Sequence, residues 1–208
     1  MDKTDIKIIF GTGNAGKMKE IRMIMADLGL EILSMKEAGI NVDIVEDGES
    51  FEENAMIKAK AIAQEVKRRG EKAIVLADDS GLEVDYLNKE PGIYSARYLG
   101  EDTSYTIKNA NIISRLEGVP DEKRTARFVC VIAAVFASGV SFSRRAVIEG
   151  AIGYEERGGN GFGYDPIFYL PEYGCYAAEL SNEEKNRISH RGKALEAMKK
   201  VIREEIGL

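Results

Sequence analysis

Four groups of residues in this chain have the types and spacing to do chemistry. The first is Gly11-Thr12-Gly13-Asn14-Ala15-Gly16-Lys17, set between an apolar stretch and a segment with helical periodicity. Backbone N–H groups at a strand-to-helix junction, joined by a lysine, hold phosphates. The run also matches G-x-x-x-x-G-K, yet a P-loop needs a Ser or Thr hydroxyl next for Mg²⁺, and here stands Met18. Taken alone, the run also reads as a flexible turn with a solvated lysine. The second group, Asp78-Asp79-Ser80-Gly81, closes the apolar run Ala73 to Ala77. Carboxylates at a strand end collect in the crevice outside a sheet, and hard cations such as Mg²⁺ need oxygen ligands. Neighbours in an extended strand face opposite ways, so at most one aspartate points into such a crevice, and the other reads as a turn or cap residue. Glu46-Asp47 is a looser second source of carboxylates.

The third group is Gly158-Gly159-Asn160-Gly161-Phe162-Gly163-Tyr164-Asp165-Pro166. Glycines on both sides leave the Phe162 ring clear to act as a stacking platform for a flat base, and equally allow a tight turn with the ring in the core. The fourth runs from Lys185 to Arg191, where Ser189-His190-Arg191-Gly192 interrupts two helical stretches. It holds the chain's one histidine, which cannot supply a zinc site and on its own is as well read as a packing residue.

Alternating strands and helices must position these groups. Lys7 to Phe10 reads as a buried strand, and after the first glycine-rich run a helix carries Ile21, Ile24, Met25 and Leu28 before Gly29 stops it. Ser50-Phe51-Glu52-Glu53 is a capping box, starting a helix that buries Ala55, Ala59, Ile62 and Val66 and ends at Gly70. Ala73 to Ala77 predicts a central strand that opens into a turn over Asp78 to Gly81. A third helix runs from a Thr103 or Ser104 cap to Gly118, and Arg127 to Ala137, Ser138-Gly139 and Val140 to Gly150 form a long hairpin. Ser181 with Glu184 is a second capping box, and the last helix buries Leu195, Met198, Val201, Ile202 and Ile206. No repeat or Pro/Ser-rich linker divides the chain, so residues 1–208 read as a single α/β domain with a mixed sheet.

Composition narrows the ligand. The 208 residues carry 44% hydrophobic and 31% charged side chains, the balance of a water-soluble globular protein. A formal net charge of -6 gives no general attraction to nucleic acid or anionic lipid, so a small phosphorylated molecule held by a local cation cluster fits better. Cys130 and Cys175 are far apart and in no metal-ligand spacing, which suits free thiols in a reducing compartment. The start Met1-Asp2-Lys3-Thr4-Asp5 leads into an apolar stretch too brief for a signal sequence. The longest apolar run, Val129 to Ala137, is roughly half of a bilayer-spanning helix. A cytoplasmic protein with no membrane or nucleic-acid partner is expected.

Together the segments resemble the inosine triphosphate pyrophosphatase family, the non-standard purine NTP pyrophosphatases. The likeness covers nearly the whole chain and rests on Thr12 to Lys17, Glu46 to Lys58, Ala77 to Leu82, Pro91 to Arg97, Gly161 to Pro166 and Ile188 to Gly192 in this order. It implies an elongated α/β fold, with a mixed sheet and flanking helices forming two lobes around a nucleotide cleft, usually as a homodimer. It implies hydrolysis of ITP, dITP and XTP to monophosphate and pyrophosphate with Mg²⁺. By motif, Thr12, Gly13, Asn14, Ala15, Gly16 and Lys17 would hold the triphosphate with Lys58 and Lys185. Asp79 would be the general base and, with Glu46, would hold Mg²⁺. Ser80 would contact substrate, Phe162 would stack on the purine, and Gly163, Tyr164, Asp165, His190 and Arg191 would complete the base pocket. A P-loop ATPase, disfavoured by Met18, and a nucleotide sensor or RNA-binding module using Lys67-Arg68-Arg69 or Arg144-Arg145 are the rival readings.

Overall fold

The computed structural model describes residues 6–208, and the acid-led start Met1-Asp2-Lys3-Thr4-Asp5 lies outside them. In chain order the elements are β1 (Lys7–Gly11), α1 (Ala15–Met25), β2 (Glu31–Ser34), α2 (Phe51–Arg68), β3 (Ile74–Val84) and α3 (Tyr105–Arg115). Then come β4 (Thr125–Val135), β5 (Ser141–Ile152), β6 (Phe168–Leu170), β7 (Cys175–Tyr176), α4 (Asn182–Ile188) and α5 (His190–Ile206). The strands form one seven-stranded sheet in the order β2-β1-β3-β4-β5-β6-β7. β1 pairs parallel with β2 and β3, whereas β6 pairs antiparallel with β5 and β7, so the sheet is mixed, as the sequence predicts.

The chain divides into two compact units. The first holds the residues up to Asp79, Cys130–Ala146 and Gly192–Leu208, and the second holds Ser80–Val129 and Val147–Arg191. In the first, side-chain alternation along β1 and β3 serves two faces. Ile8, Phe10, Ile74 and Leu76 pack against Ile21 and Met25 of α1 and Leu195, Met198 and Ile202 of α5. Ile9 and Val75 turn the other way, onto Ile62 and Val66 of α2. In the second unit Leu82 and Val84 of β3 join Ala126 and Phe128 of β4, Ile148 of β5 and Ile112 of α3.

One expectation fails. The turn predicted over Asp78-Asp79-Ser80-Gly81 does not form, and β3 runs through it from Ile74 to Val84. Asp and Gly favour turns, but Leu82 and Val84 continue the apolar alternation and are fully buried, so burial outweighs local preference. The second capping box forms in full at Ser181 and Glu184. The first forms by half: Ser50 accepts the Glu53 N–H, while Glu53 Oε2 accepts from Glu49 N–H. Cys130 and Cys175 are free thiols. No helix among the described residues is long and apolar enough to cross a membrane.

Candidate active site

The first site segment begins where β1 ends. Gly11 pairs with Ala77 of β3, and a Cβ on it would stand 2.5 Å from Ile62 Cδ1 and 3.2 Å from Ala77 Cβ, so a side chain here would have to displace Ile62 of α2. Asn14 then caps α1: its Oδ1 accepts the Lys17 N–H at 3.0 Å, and the Asn14 N–H donates to Thr12 Oγ1 at 3.2 Å. The first amides of a helix lack intrahelical acceptors, and Thr12 to Gly16 present such a terminus. Met18 is buried in the core behind it and contributes no hydroxyl.

Strand alternation separates the two aspartates. Asp78 shares the face of Leu76 and its Oδ2 pairs with Lys17 Nζ at 2.9 Å; with 1% of its surface exposed, it is a buried anchor for that lysine. Asp79 faces α2, where Lys58 Nζ lies 3.9 Å from Asp79 Oδ1 and 3.0 Å from Glu46 Oε2. Burial pushes the Asp79 carboxyl up to about 6; the Lys58 ammonium opposes this, the Glu46 and Asp78 carboxylates add to it, and the Asn54 carboxamide lowers it. One ammonium thus stands against two carboxylates from separate segments. Among the described residues no group of three acidic, His or Cys side chains is placed to hold a metal ion. Mg²⁺ is ordinarily held by one or two carboxylates, with water and substrate phosphate oxygens as the remaining ligands, so Glu46 and Asp79 fit it.

A second cluster forms in the other unit. The Asp165 carboxylate organises it, with Oδ2 accepting the Phe162 N–H at 2.8 Å and pairing with Lys185 Nζ at 2.7 Å. Gly161, at φ 76°, is required because a Cβ there would collide with that same oxygen. Lys185 Nζ lies 4.8 Å and the Arg191 guanidinium carbon 5.5 Å from the Phe162 ring centroid, so cations flank the aromatic surface. Tyr164 is buried, donates its hydroxyl to Ser95 O at 2.8 Å and meets the Tyr105 ring edge-on at 5.2 Å. Burial pushes the Tyr164 hydroxyl pKa above its ordinary value. His190, at the start of α5, is buried and stacks on Phe128 with centroids 4.9 Å apart.

The structure therefore gathers Thr12 to Lys17, Glu46, Lys58 and Asp79 in the first unit. It gathers Phe162 to Asp165, Lys185, His190 and Arg191 in the second, where the β3 residue Ser80 also lies. Lys185, expected among the phosphate-holding residues, is bound to Asp165 beneath the aromatic loop. Two buried asparagines escape the sequence reading. Asn109 of α3 donates Nδ2 to Glu156 at 2.7 Å and to Gly163 O at 3.2 Å, tying the glycine-rich loop to the helix. Asn54 sits beside Asp79. The available signal was their position on the apolar faces of α2 and α3, one residue before Ala55 and three before Ile112.

A sequence model of the Ham1 family matches residues 8–201. A dITP/XTP pyrophosphatase from Clostridium perfringens is 49% identical over 194 residues, 93% of this chain and 95% of that protein. One from Desulforamulus reducens is 46% identical over 197 residues, covering 95% and 96%. Among solved structures, a HAM1 protein from Coxiella burnetii superposes with a TM-score of 0.84 at 39% identity, covering 96% of this chain and 99% of that one. The Staphylococcus aureus Ham1 protein gives 0.83 at 37% identity, with the same coverage. Sequence motifs, sheet order and these matches agree over almost the full length, and the chain belongs to the Ham1 family.

Proposed function

We propose that this protein hydrolyses the non-standard purine nucleoside triphosphates ITP, dITP and XTP to nucleoside monophosphate and pyrophosphate. The observation that carries the reading is the set Asp79, Glu46 and Lys58, in which a carboxyl with a pKa near 6 faces a second carboxylate across one ammonium. That is the equipment for deprotonating a water and balancing charge on a phosphate. The names of the relatives agree with it. The chain acts as one catalytic domain, in the cytoplasm, where its thiols stay reduced. It works as a homodimer, and Tyr94, Leu99, Tyr105 and Ile107 are among the exposed apolar side chains that a second copy could cover.

Asp79, ionised at neutral pH, takes the proton from the water that attacks the α-phosphorus. Glu46 and Asp79 would hold Mg²⁺, which would supply charge neutralisation on the phosphate oxygens when bound. Lys17, the loop Thr12 to Gly16 at the N-terminus of α1 and Lys58 hold the triphosphate and stabilise the leaving pyrophosphate. Ser80 contacts the substrate. Phe162 stacks on the purine, Arg191 donates to the 6-keto oxygen, and Gly163, Tyr164, Asp165 and His190 shape that pocket, with Lys185 bracing the loop through Asp165. The test is incubation with ITP, dITP, XTP, GTP and ATP, with Mg²⁺ or EDTA, assaying pyrophosphate and orthophosphate separately. Pyrophosphate from the first three, and only with the metal, is expected; orthophosphate as the main product refutes the reading.

A further inference from the structure

Helix α2 buries Phe51, Ala55, Ile62 and Val66, and Asn54 lies in the same face with no exposed surface. A carboxamide in that position is retained at a desolvation cost unless its polar atoms are used. Its Oδ1 accepts the Gly48 N–H at 2.9 Å. Its Nδ2 makes no hydrogen bond of ordinary geometry among the described residues and faces Asp79, whose ionised carboxylate it favours. Gly48 is pressed onto the helix: a Cβ there would stand 2.8 Å from Asn54 Oδ1 and 2.7 Å from Glu53 Cβ. The next amide, Glu49 N–H, donates to Glu53 Oε2 at 2.7 Å, so the first turn of α2 grips two successive residues of the segment that carries Glu46.

One side chain is thus shared by the loop behind Glu46 and the strand position of Asp79, the two carboxylates that face Lys58. We propose that Asn54 is a positioning residue, clamping the Glu46 loop through the Gly48 amide while directing Nδ2 to Asp79, so that both carboxylates are set to hold one divalent cation. This rests on the assignment of Glu46 and Asp79 as the metal-holding pair. Residues that orient metal ligands without touching the metal are worth about 10–100-fold in metal affinity. Gly48 has its own part, since any side chain there lifts the loop away from Asn54.

Mn²⁺ binding to the whole protein, read from loss of the free-ion EPR signal, tests this on the parent, Glu46→Gln, Asn54→Ala and Gly48→Ala, with circular dichroism as the check on folding. All three variants should bind Mn²⁺ more weakly, Asn54→Ala by about 10–100-fold. In turnover, Asn54→Ala should need correspondingly more Mg²⁺ for half-maximal rate and recover most of its kcat at saturating Mg²⁺, with KM for ITP little changed. A packing role alone would lower the folded fraction and leave the Mg²⁺ requirement where it was. Parent-like Mn²⁺ affinity in Asn54→Ala, with Glu46→Gln weakened, overturns the role of Asn54; parent-like affinity in Glu46→Gln overturns the metal-pair assignment beneath it. If Asn54→Ala does not fold, Gly48→Ala decides, and unchanged affinity there refutes the clamp.

Discussion

Replacing the two neighbouring aspartates one at a time should produce opposite signatures. Asp79 is buried, and its carboxyl titrates near 6 instead of near 3.8. Its folded-state pKa lies above its unfolded value, so the proton stabilises the folded protein at low pH, and that stability is lost as pH rises through 6. A gap of this size corresponds to roughly 3 kcal/mol at most, and relaxation around the charge leaves on the order of 1–3 kcal/mol. Asp79→Asn removes the buried charge while Lys58 keeps Glu46 at 3.0 Å. At pH 8 in EDTA it should therefore raise Tm by about 2–10 °C for a chain of this length, a gain that shrinks toward zero as pH falls from 6 to 4. The same change should lower kcat at least about a hundredfold, because an amide cannot accept the proton. Asp78→Asn should do the reverse to stability. It breaks a pair in which Asp78 is 1% and the Lys17 side chain 21% exposed, between the surface and fully buried cases, at about 2 kcal/mol or some 4–8 °C. Thermal unfolding at pH 8 and pH 4, with pyrophosphate release from ITP, measures both. A destabilised Asp79→Asn at pH 8, or one within a few-fold of parental kcat, refutes this division of labour.

Lys17→Ala should weaken triphosphates much more than monophosphates, seen by comparing KM for ITP with the Ki of IMP, if the lysine grips the leaving phosphates as proposed; equal losses would contradict that. Phe162→Ala should lower kcat/KM for all purine triphosphates alike, by the roughly 1–3 kcal/mol of a lost base stack. Arg191→Ala should instead act mainly on ITP and XTP and narrow their advantage over ATP, since its donors match a 6-keto oxygen and leave an adenine amino group unmatched. An unchanged ITP-to-ATP ratio would remove Arg191 from base selection.

The helices were legible because local signals and burial agree in them. Ser104 caps α3, Ser181 and Glu184 close a full capping box, and Leu195, Met198 and Ile202 recur at helical spacing and all reach the core. At Asp78 to Gly81 the two disagree: turn-forming residues lie inside a strand whose burial is fixed by Leu82 and Val84, far from the local window. The division of the aspartates followed from strand alternation, but their partners did not, since Lys17 and Lys58 are 61 and 21 residues from the carboxylates they meet. The Asp165–Lys185 pair and the clamp at Asn54 are tertiary in the same sense. Motif reading named Asp165 and Lys185 as separate contacts and could not show that one oxygen organises both Lys185 and the Phe162 amide.

The attack of water on the α-phosphorus is the central step of the proposed hydrolysis. It is tested most directly by turning over ITP in ¹⁸O-labelled water with Mg²⁺ and weighing the products by mass spectrometry. One labelled oxygen in IMP and none in pyrophosphate is the predicted result. Label in pyrophosphate would place the attack on the β-phosphorus, and label in orthophosphate with IDP as co-product would place it on the γ-phosphorus; either contradicts the account.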